Sequence, residues 1–253
     1  MEKLYWAHMS ETNSTTAFTP NQKAYAGSNA FGKYITLVAG DYNPLLWIVM
    51  ELYYLLVAPL PGILGLGLRG FILPILLSST KSPKVEKSVV IRSPSRISLG
   101  SSAIIDQSVT LDGRNGSAIK MGARCFVGAY SLILAKGGDI IFADGVNVSS
   151  NCRIASEGKI EIGKSVLISA FCYIGPGNHN FSDTSKPIME QGMEEGRGVI
   201  IGENSWIGAH STILDGVKIG KNVVIGAHSL VKADVPDNAI VGGVPAKILK
   251  MRA

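Results

Sequence analysis

Few residues in this chain can do chemistry, so where they fall is informative. There are four histidines among 253 residues: His8, His179, His210 and His228. His210 and His228 stand 18 apart. His179 lies in Gly175-Pro-Gly-Asn-His-Asn-Phe-Ser-Asp183, the head of a long glycine-bearing stretch. Imidazole is well suited to moving a proton near neutral pH, and long loops on a rigid scaffold are where such groups concentrate. By spacing alone, His179 reads as a proton-transfer residue or as an ordinary loop histidine. The three cysteines, Cys125, Cys152 and Cys172, form no CxxC pair and are too few for a disulfide framework, so a reducing compartment is expected. Gly65-Leu-Gly-Leu-Arg-Gly70 matches the dinucleotide fingerprint, but it is embedded in an apolar run and followed by Pro74. That fingerprint needs a strand before it and a helix after it in a βαβ unit, so the match is rejected.

The scaffold that must hold His179 is written as a period. An aliphatic residue recurs every six positions through Ile201, Ile207, Ile213, Ile219, Ile225 and Val231, usually followed by glycine. Upstream the same positions fall into triplets: Leu99, Ile105, Leu111; Met121, Val127, Ile133; Phe142, Val148, Ile154; Ile162, Ile168, Ile174. A partial triplet, Val85 and Ile91, precedes them. Extra residues enter only after every third hexad, and the longest insertion follows Ile174. The simple geometry is a three-sided prism with one hexad per side and every insertion leaving from one corner. Six full coils at the strand spacing of ~4.8 Å make a column of roughly 30 Å. Positions one and five of each hexad share parity and point inward. Each cysteine occupies position five, so all three are expected as buried, inert thiols. Cys152 and Cys172 fall on the same side of successive coils, where they can stack. The composition agrees: 46% hydrophobic, 17% charged, 29 glycines and 7% aromatics suit a turn-dense β chain with a core. A net charge of +5 permits attraction to phosphates or to an anionic membrane face.

Residues 1–43 read as a polar arm, with no apolar signal segment behind a basic start. Residues 44–80 are different. From Pro44 to Leu77 only Glu51 and Arg69 are charged, and Pro59, Pro61 and Gly62 break the run. Two apolar helices, about 45–58 and 63–77, are expected, forming a hairpin that dips into one leaflet without crossing it. Arg69 and Lys81 would snorkel to head groups. The alternative is a pair of core helices packed on the rest of the chain.

The repeated [LIV]-G-x-x-[STAV]-x pattern, with Ile201-Gly-Glu-Asn-Ser-Trp-Ile-Gly208, Asp234-Val-Pro236 and the ending Val241-Gly-Gly-Val-Pro-Ala-Lys247, resembles the hexapeptide-repeat acyltransferases. Within that superfamily it is most similar to the galactoside and maltose O-acetyltransferase branch, over about residues 85–252. The resemblance implies a mainly β fold, a left-handed parallel β-helix of about six coils over 81–236 with a tail at 237–253. The N-terminal apolar α-helical hairpin would be an addition suggesting a membrane-associated relative. It also implies acetyl-CoA as co-substrate without a metal, a sugar hydroxyl as carbohydrate acceptor, and a homotrimer with sites between columns. The apolar segment 44–77 adds the expectation of a surface-polysaccharide or lipid-linked glycan at the cytoplasmic face of a membrane.

Acyl transfer from a thioester to an alcohol needs a base for the hydroxyl proton and donors for the developing oxyanion. The family's catalytic histidine heads the loop that here spans 175–200, which implies His179 as base. Substrate-binding roles carry over to Glu157, Asn178, Trp206 and Asp183, where Asp183 orients His179 or caps a turn. The family's acceptor-binding asparagine is Ser149 here. Coenzyme A would lie along an outer groove against backbone groups of Ala209 and Ala227, its phosphates near Lys232, Lys247 and Lys250. The usual lysine before the Asp-Val-Pro turn is shifted by one position, to Lys232. Two other classes stand beside this one. A zinc lyase of the γ-carbonic-anhydrase type shares the fold, but its H-x-x-x-x-H pair is missing. The other is a non-catalytic membrane-bound scaffold.

Overall fold

The computed structural model describes residues 30–40, 43–78, 83–114, 116–175 and 177–252. His8 and Lys81 lie outside them. The chain is a mainly β parallel solenoid of about seven turns, from β1 (Lys84–Val85) to β22 (Lys247–Met251). Its strands form three sheets, here A, B and C, of nine, seven and six strands. Successive coils pair in parallel; only β22 turns back, antiparallel to β21 (Ala239–Gly242).

The register follows the hexads position for position. On sheet C, Leu99 pairs with Met121, Met121 with Phe142, Phe142 with Ile162, Ile162 with Ile201 and Ile201 with Ile219. On sheet B the interior row runs Ile91, Leu111, Ile133, Ile154, Ile174, Ile213, Val231. These side chains are essentially buried and make up one continuous core. Aliphatic residues stacked on themselves every ~4.8 Å exclude water along the whole column, which is how short parallel strands become stable together. The partial triplet at Val85 and Ile91 completes a further coil through β3 (Ile97–Leu99), giving about seven turns rather than six.

Cys125, Cys152 and Cys172 are buried and free, as position five requires. Their thiols donate to the carbonyls of Ala143, Ser169 and Gly208 at 3.2, 3.1 and 3.2 Å. Burial raises the Cys125 thiol above its ordinary value. Cys152 is raised as well, first by the neighbouring Cys172 thiol and then by burial.

The base of the column is closed by three helices. Helix α1 (Ala30–Ala39) buries Ile35, Val38 and Ala39, so the last third of the expected polar arm is a packed helix; its apolar residues recur at helical spacing. Helices α2 (Pro44–Leu56) and α3 (Gly62–Leu76) are the two expected apolar helices, joined through the turn at Pro59–Gly62. Asn43 caps α2 by accepting from the Leu46 N–H, and Pro44 fits the first helical turn. Among the described residues no helix is long and apolar enough to cross a membrane.

The hairpin reaches the exposed lower strand of all three sheets. Arg69 Nε donates to the Val85 carbonyl of β1 on sheet A at 2.7 Å. The Tyr54 hydroxyl bonds the Ile91 carbonyl and accepts from the Ile91 N–H on sheet B. Ser78 donates from its N–H and its hydroxyl to the Ile97 carbonyl on sheet C. A bare edge strand invites pairing with another chain, and these contacts remove that liability.

Arg69 corrects the snorkelling expectation. Its side chain is fully buried, with Nη1 donating to the Leu60 and Val57 carbonyls at 2.7 and 3.2 Å. The kink at Pro59–Gly62 turns carbonyls inward, and a guanidinium is the side chain that can satisfy several at once. The rejected GxGxxG is explained by the same contact. A Cβ at Gly65 would overlap the Leu60 carbonyl, so that glycine lets α3 close against the turn.

Candidate active site

Sheets B and C meet at the corner from which every insertion leaves, and the long loop after β14 (Tyr173–Ile174) emerges there. It is a small hairpin in its own right. His179 and Met193 form an antiparallel bridge. The Asn180 N–H donates to the Gly192 carbonyl at 3.1 Å and the Glu194 N–H to the Asn178 carbonyl at 2.9 Å. The Asn180 amide donates to the Gln191 and Met193 carbonyls, both at 3.2 Å. Gln191 spans the tip, accepting from the Asp183 N–H and donating to the Asp183 and Lys186 carbonyls. The main chain of His179 is therefore fixed while its imidazole is exposed to solvent.

Both legs are pinned to the column. On the way out, Gly177 packs on the Glu157 side chain, where a Cβ would fall 2.6 Å from Cγ. On the way back, the Asp215 carboxylate accepts from the Arg197 and Gly198 N–H groups, each at 2.8 Å, and is nearly buried. The hexad pattern gave no reason to single out Asp215; the only hint is that Arg197 is flanked by glycines, Gly196 and Gly198, facing a corner Asp-Gly. Replacing Asp215 by alanine strands two amides that bonded a charged acceptor, a loss of about 2–4 kcal/mol for the loop anchor. Limited proteolysis at Arg197 should speed up at least tenfold, with the column's circular dichroism unchanged.

The other expected site residues are spread around the prism. Asn178 donates to the Glu194 carboxylate at 3.2 Å. Asp183 is engaged by the Ser185 hydroxyl, the Ser185 N–H and Lys186, at 2.6, 2.9 and 3.2 Å, which is the turn-capping alternative. The Ser185 hydroxyl, first of these, lowers its carboxyl below the usual range. Trp206 lies on sheet A, half exposed, its indole N–H bonded to Ser169 Oγ at 2.9 Å. Ala209 and Ala227 lie one above the other at the corner between sheets A and B. Beside them the rings of Phe171, His210 and His228 stack at 4.8 and 4.7 Å, within 5° of parallel. Parallel rings cannot aim their in-plane lone pairs at one point, so the two histidines do not suit a shared tetrahedral metal. Among the described residues no group of three His, Cys, Asp or Glu side chains is placed to hold one. Lys232 follows β20 (Leu230–Val231), and Lys247 and Lys250 lie on β22; all three are exposed.

A triangular parallel solenoid built on six-residue repeats is the fold of the hexapeptide-repeat transferases, and this chain belongs to that family of acyltransferases. Residues 198–233 match the family described as bacterial transferase hexapeptide (six repeats). The chain is 35% identical over 144 residues to WbbJ of Escherichia coli, named as a lipopolysaccharide biosynthesis O-acetyl transferase, covering 54% of this chain and 74% of that one. It is 32% identical to the galactoside O-acetyltransferase of Lactococcus lactis, covering 51% and 61%. Among solved structures, a serine-to-cysteine mutant of the N-acyltransferase AntD of Bacillus cereus, in complex with dTDP-4-amino-4,6-dideoxyglucose and coenzyme A, superimposes with a TM-score of 0.50 at 26% identity. That match covers 71% of this chain and 86% of AntD.

Proposed function

We propose that the protein transfers an acetyl group from acetyl-CoA to a sugar hydroxyl, with His179 as general base. The observation that carries this reading is the exposed imidazole held by a hairpin pinned at Glu157 and Asp215. In this reading an imidazole nitrogen of His179 takes the acceptor's proton while the hydroxyl oxygen attacks the thioester carbonyl. The carbon–sulfur bond then breaks, and the thiolate leaves with the proton that His179 held. Donors rather than a covalent enzyme intermediate stabilise the oxyanion. O-Acetyl transferase relatives and the sugar-nucleotide complex of AntD support this chemistry.

The active unit in this reading is a trimer of left-handed columns. Its support is geometric: the His179 corner and the Ala209–Ala227 corner are the two ends of sheet B, about 20 Å apart for one hexad of extended chain. A base on one column and acetyl-CoA along a neighbour's corner close that gap, with Lys232, Lys247 and Lys250 beside the CoA phosphates and Trp206 lining the cleft. Phe181, Ile188 and Met189 project from the loop exposed, an apolar surface suited to a neighbouring column.

We also place the protein at the cytoplasmic face of a membrane. Leu45, Leu52, Leu55, Ile63, Phe71 and Ile75 are all at least half exposed on the outside of the hairpin. Solenoid caps ordinarily turn a polar face outward, and a patch of this kind marks an interaction surface. The test is acetyl-CoA consumption with a panel of sugars, read by mass spectrometry of the acceptor. An O-acetylated sugar is the expected product; acetyl-CoA left intact with every sugar would overturn the reading.

A further inference from the structure

Below the catalytic hairpin, the outer face and insertion corner of sheet B carry a descending series of cations. Arg153 stands on β11 (Arg153–Ser156), its guanidinium 5.6 Å from the centre of the Tyr173 ring one coil above. Lys136 follows β8 (Leu132–Ala135) one coil lower, and its N–H bonds the Ser156 carbonyl beside Glu157. Another coil down Arg114, and one coil below that Arg92, both grip the buried Asp112 carboxylate. Among the described residues, Asp112 and Glu157 are carboxylates that stand beside these cations. Arg153 makes no ion pair among the described residues; its partner is an aromatic face.

Holding like charges together costs energy unless something anionic joins them. Burial lowers the Lys136 ammonium from its ordinary value, and Arg153 and Arg114 push it the same way. The series runs from β14, at the foot of the His179 hairpin, to β2 (Val90–Arg92), which Tyr54 of the apolar hairpin contacts. Four rungs at ~4.8 Å span roughly 19 Å. Guanidinium groups suit phosphate oxygens through paired donors, and lysine adds a point charge.

We propose that this face binds a phosphate or diphosphate on the acceptor, so that the sugar acetylated is a phosphorylated sugar and not a free one. The anion lies against Arg153 and Lys136, with Arg114 behind them, and the sugar extends upward past Glu157 to His179. This rests on the acetyl-transfer reading above. Two sources share the chemistry: a sugar nucleotide in solution and a polyprenyl-diphosphate sugar whose lipid lies beside the apolar hairpin.

The experiment compares UDP-glucose, polyprenyl-diphosphate-linked glucose in vesicles and methyl glucoside as acceptors, for the full-length wild type, Arg153→Gln and Lys136→Gln. Both variants should raise KM for the diphosphate acceptors about 10–100-fold and leave that for methyl glucoside and for acetyl-CoA within twofold. Inorganic pyrophosphate should compete with the diphosphate acceptors in the wild type, and more weakly in the variants. A lower KM for the lipid-linked sugar assigns the membrane source, and a lower KM for UDP-glucose the soluble one. Equal KM for neutral and phosphorylated sugars, unchanged by either variant, overturns the proposal while leaving acetyl transfer intact. A rise confined to the KM of acetyl-CoA overturns it too, because the anions held there would be those of CoA. Unaltered melting temperatures in both variants exclude misfolding as the cause of any shift.

Discussion

Replacing His179 by alanine is expected to lower kcat for acetyl transfer by about 10²- to 10⁴-fold, the usual contribution of a positioned general base. That corresponds to roughly 3–5 kcal/mol of transition-state stabilisation. The melting temperature should stay within a degree or two of wild type. The imidazole is exposed, and the hairpin is held by main-chain bonds at residues 178, 180, 192 and 194 together with the side chains of Asn180 and Gln191. A fall in kcat with unchanged stability separates a chemical role from a structural one. The KM for acetyl-CoA should move little, since the residue acts on the acceptor's proton. Activity within threefold of wild type would remove His179 from the mechanism and return the family's fold to a different base.

The second large effect is on stability, and it lies far from the site. Arg69→Met should loosen the whole helical cap, because the methionine leaves the Leu60 carbonyl without its donor and the Val57 and Val85 carbonyls short of one. Each stranded buried acceptor costs about 1–3 kcal/mol, offset in part because a buried charge is removed as well. A net loss of about 2–4 kcal/mol is expected. A solenoid transmits stability only between neighbours, so the loss should stay local. Hydrogen exchange should accelerate about 30- to 1,000-fold through residues 43–78 and in β1 and β2, while β11 to β20 keep wild-type protection. Arg69→Lys should not rescue it, since one ammonium cannot reproduce the fork that spans the turn and the strand. Protection unchanged in the cap would mean that the apolar contacts of Met50, Tyr53 and Leu73 hold it unaided.

These two residues also mark how unevenly the fold could be read. The interior rows, the corner of insertion, the cysteine slots and the face-to-face pairing of His210 with His228 all follow from a six-residue period. Strand parity and coil stacking act over one hexad and one coil, so a side chain's direction is set by its position in the repeat. The hairpin helices were legible from Pro59, Pro61 and Gly62, which interrupt an apolar run. His179 stood out because it is a histidine at the head of the one oversized insertion.

What escaped was set by groups distant along the chain. Arg69 looked like a snorkelling cation because a lone charge in an apolar segment is cheapest in water; three carbonyls from a kinked turn and an edge strand made burial possible. For Asp183 the sequence left two roles open, orienting His179 or capping a turn; Ser185 and Lys186, two and three residues on, engage its carboxylate. Asp215 has nothing in its own hexad to mark it, and its role exists only because the loop returns to that corner after β14. Local periodicity specified the column; the hydrogen-bond partners of isolated polar groups came from chain segments that meet only once the column is closed.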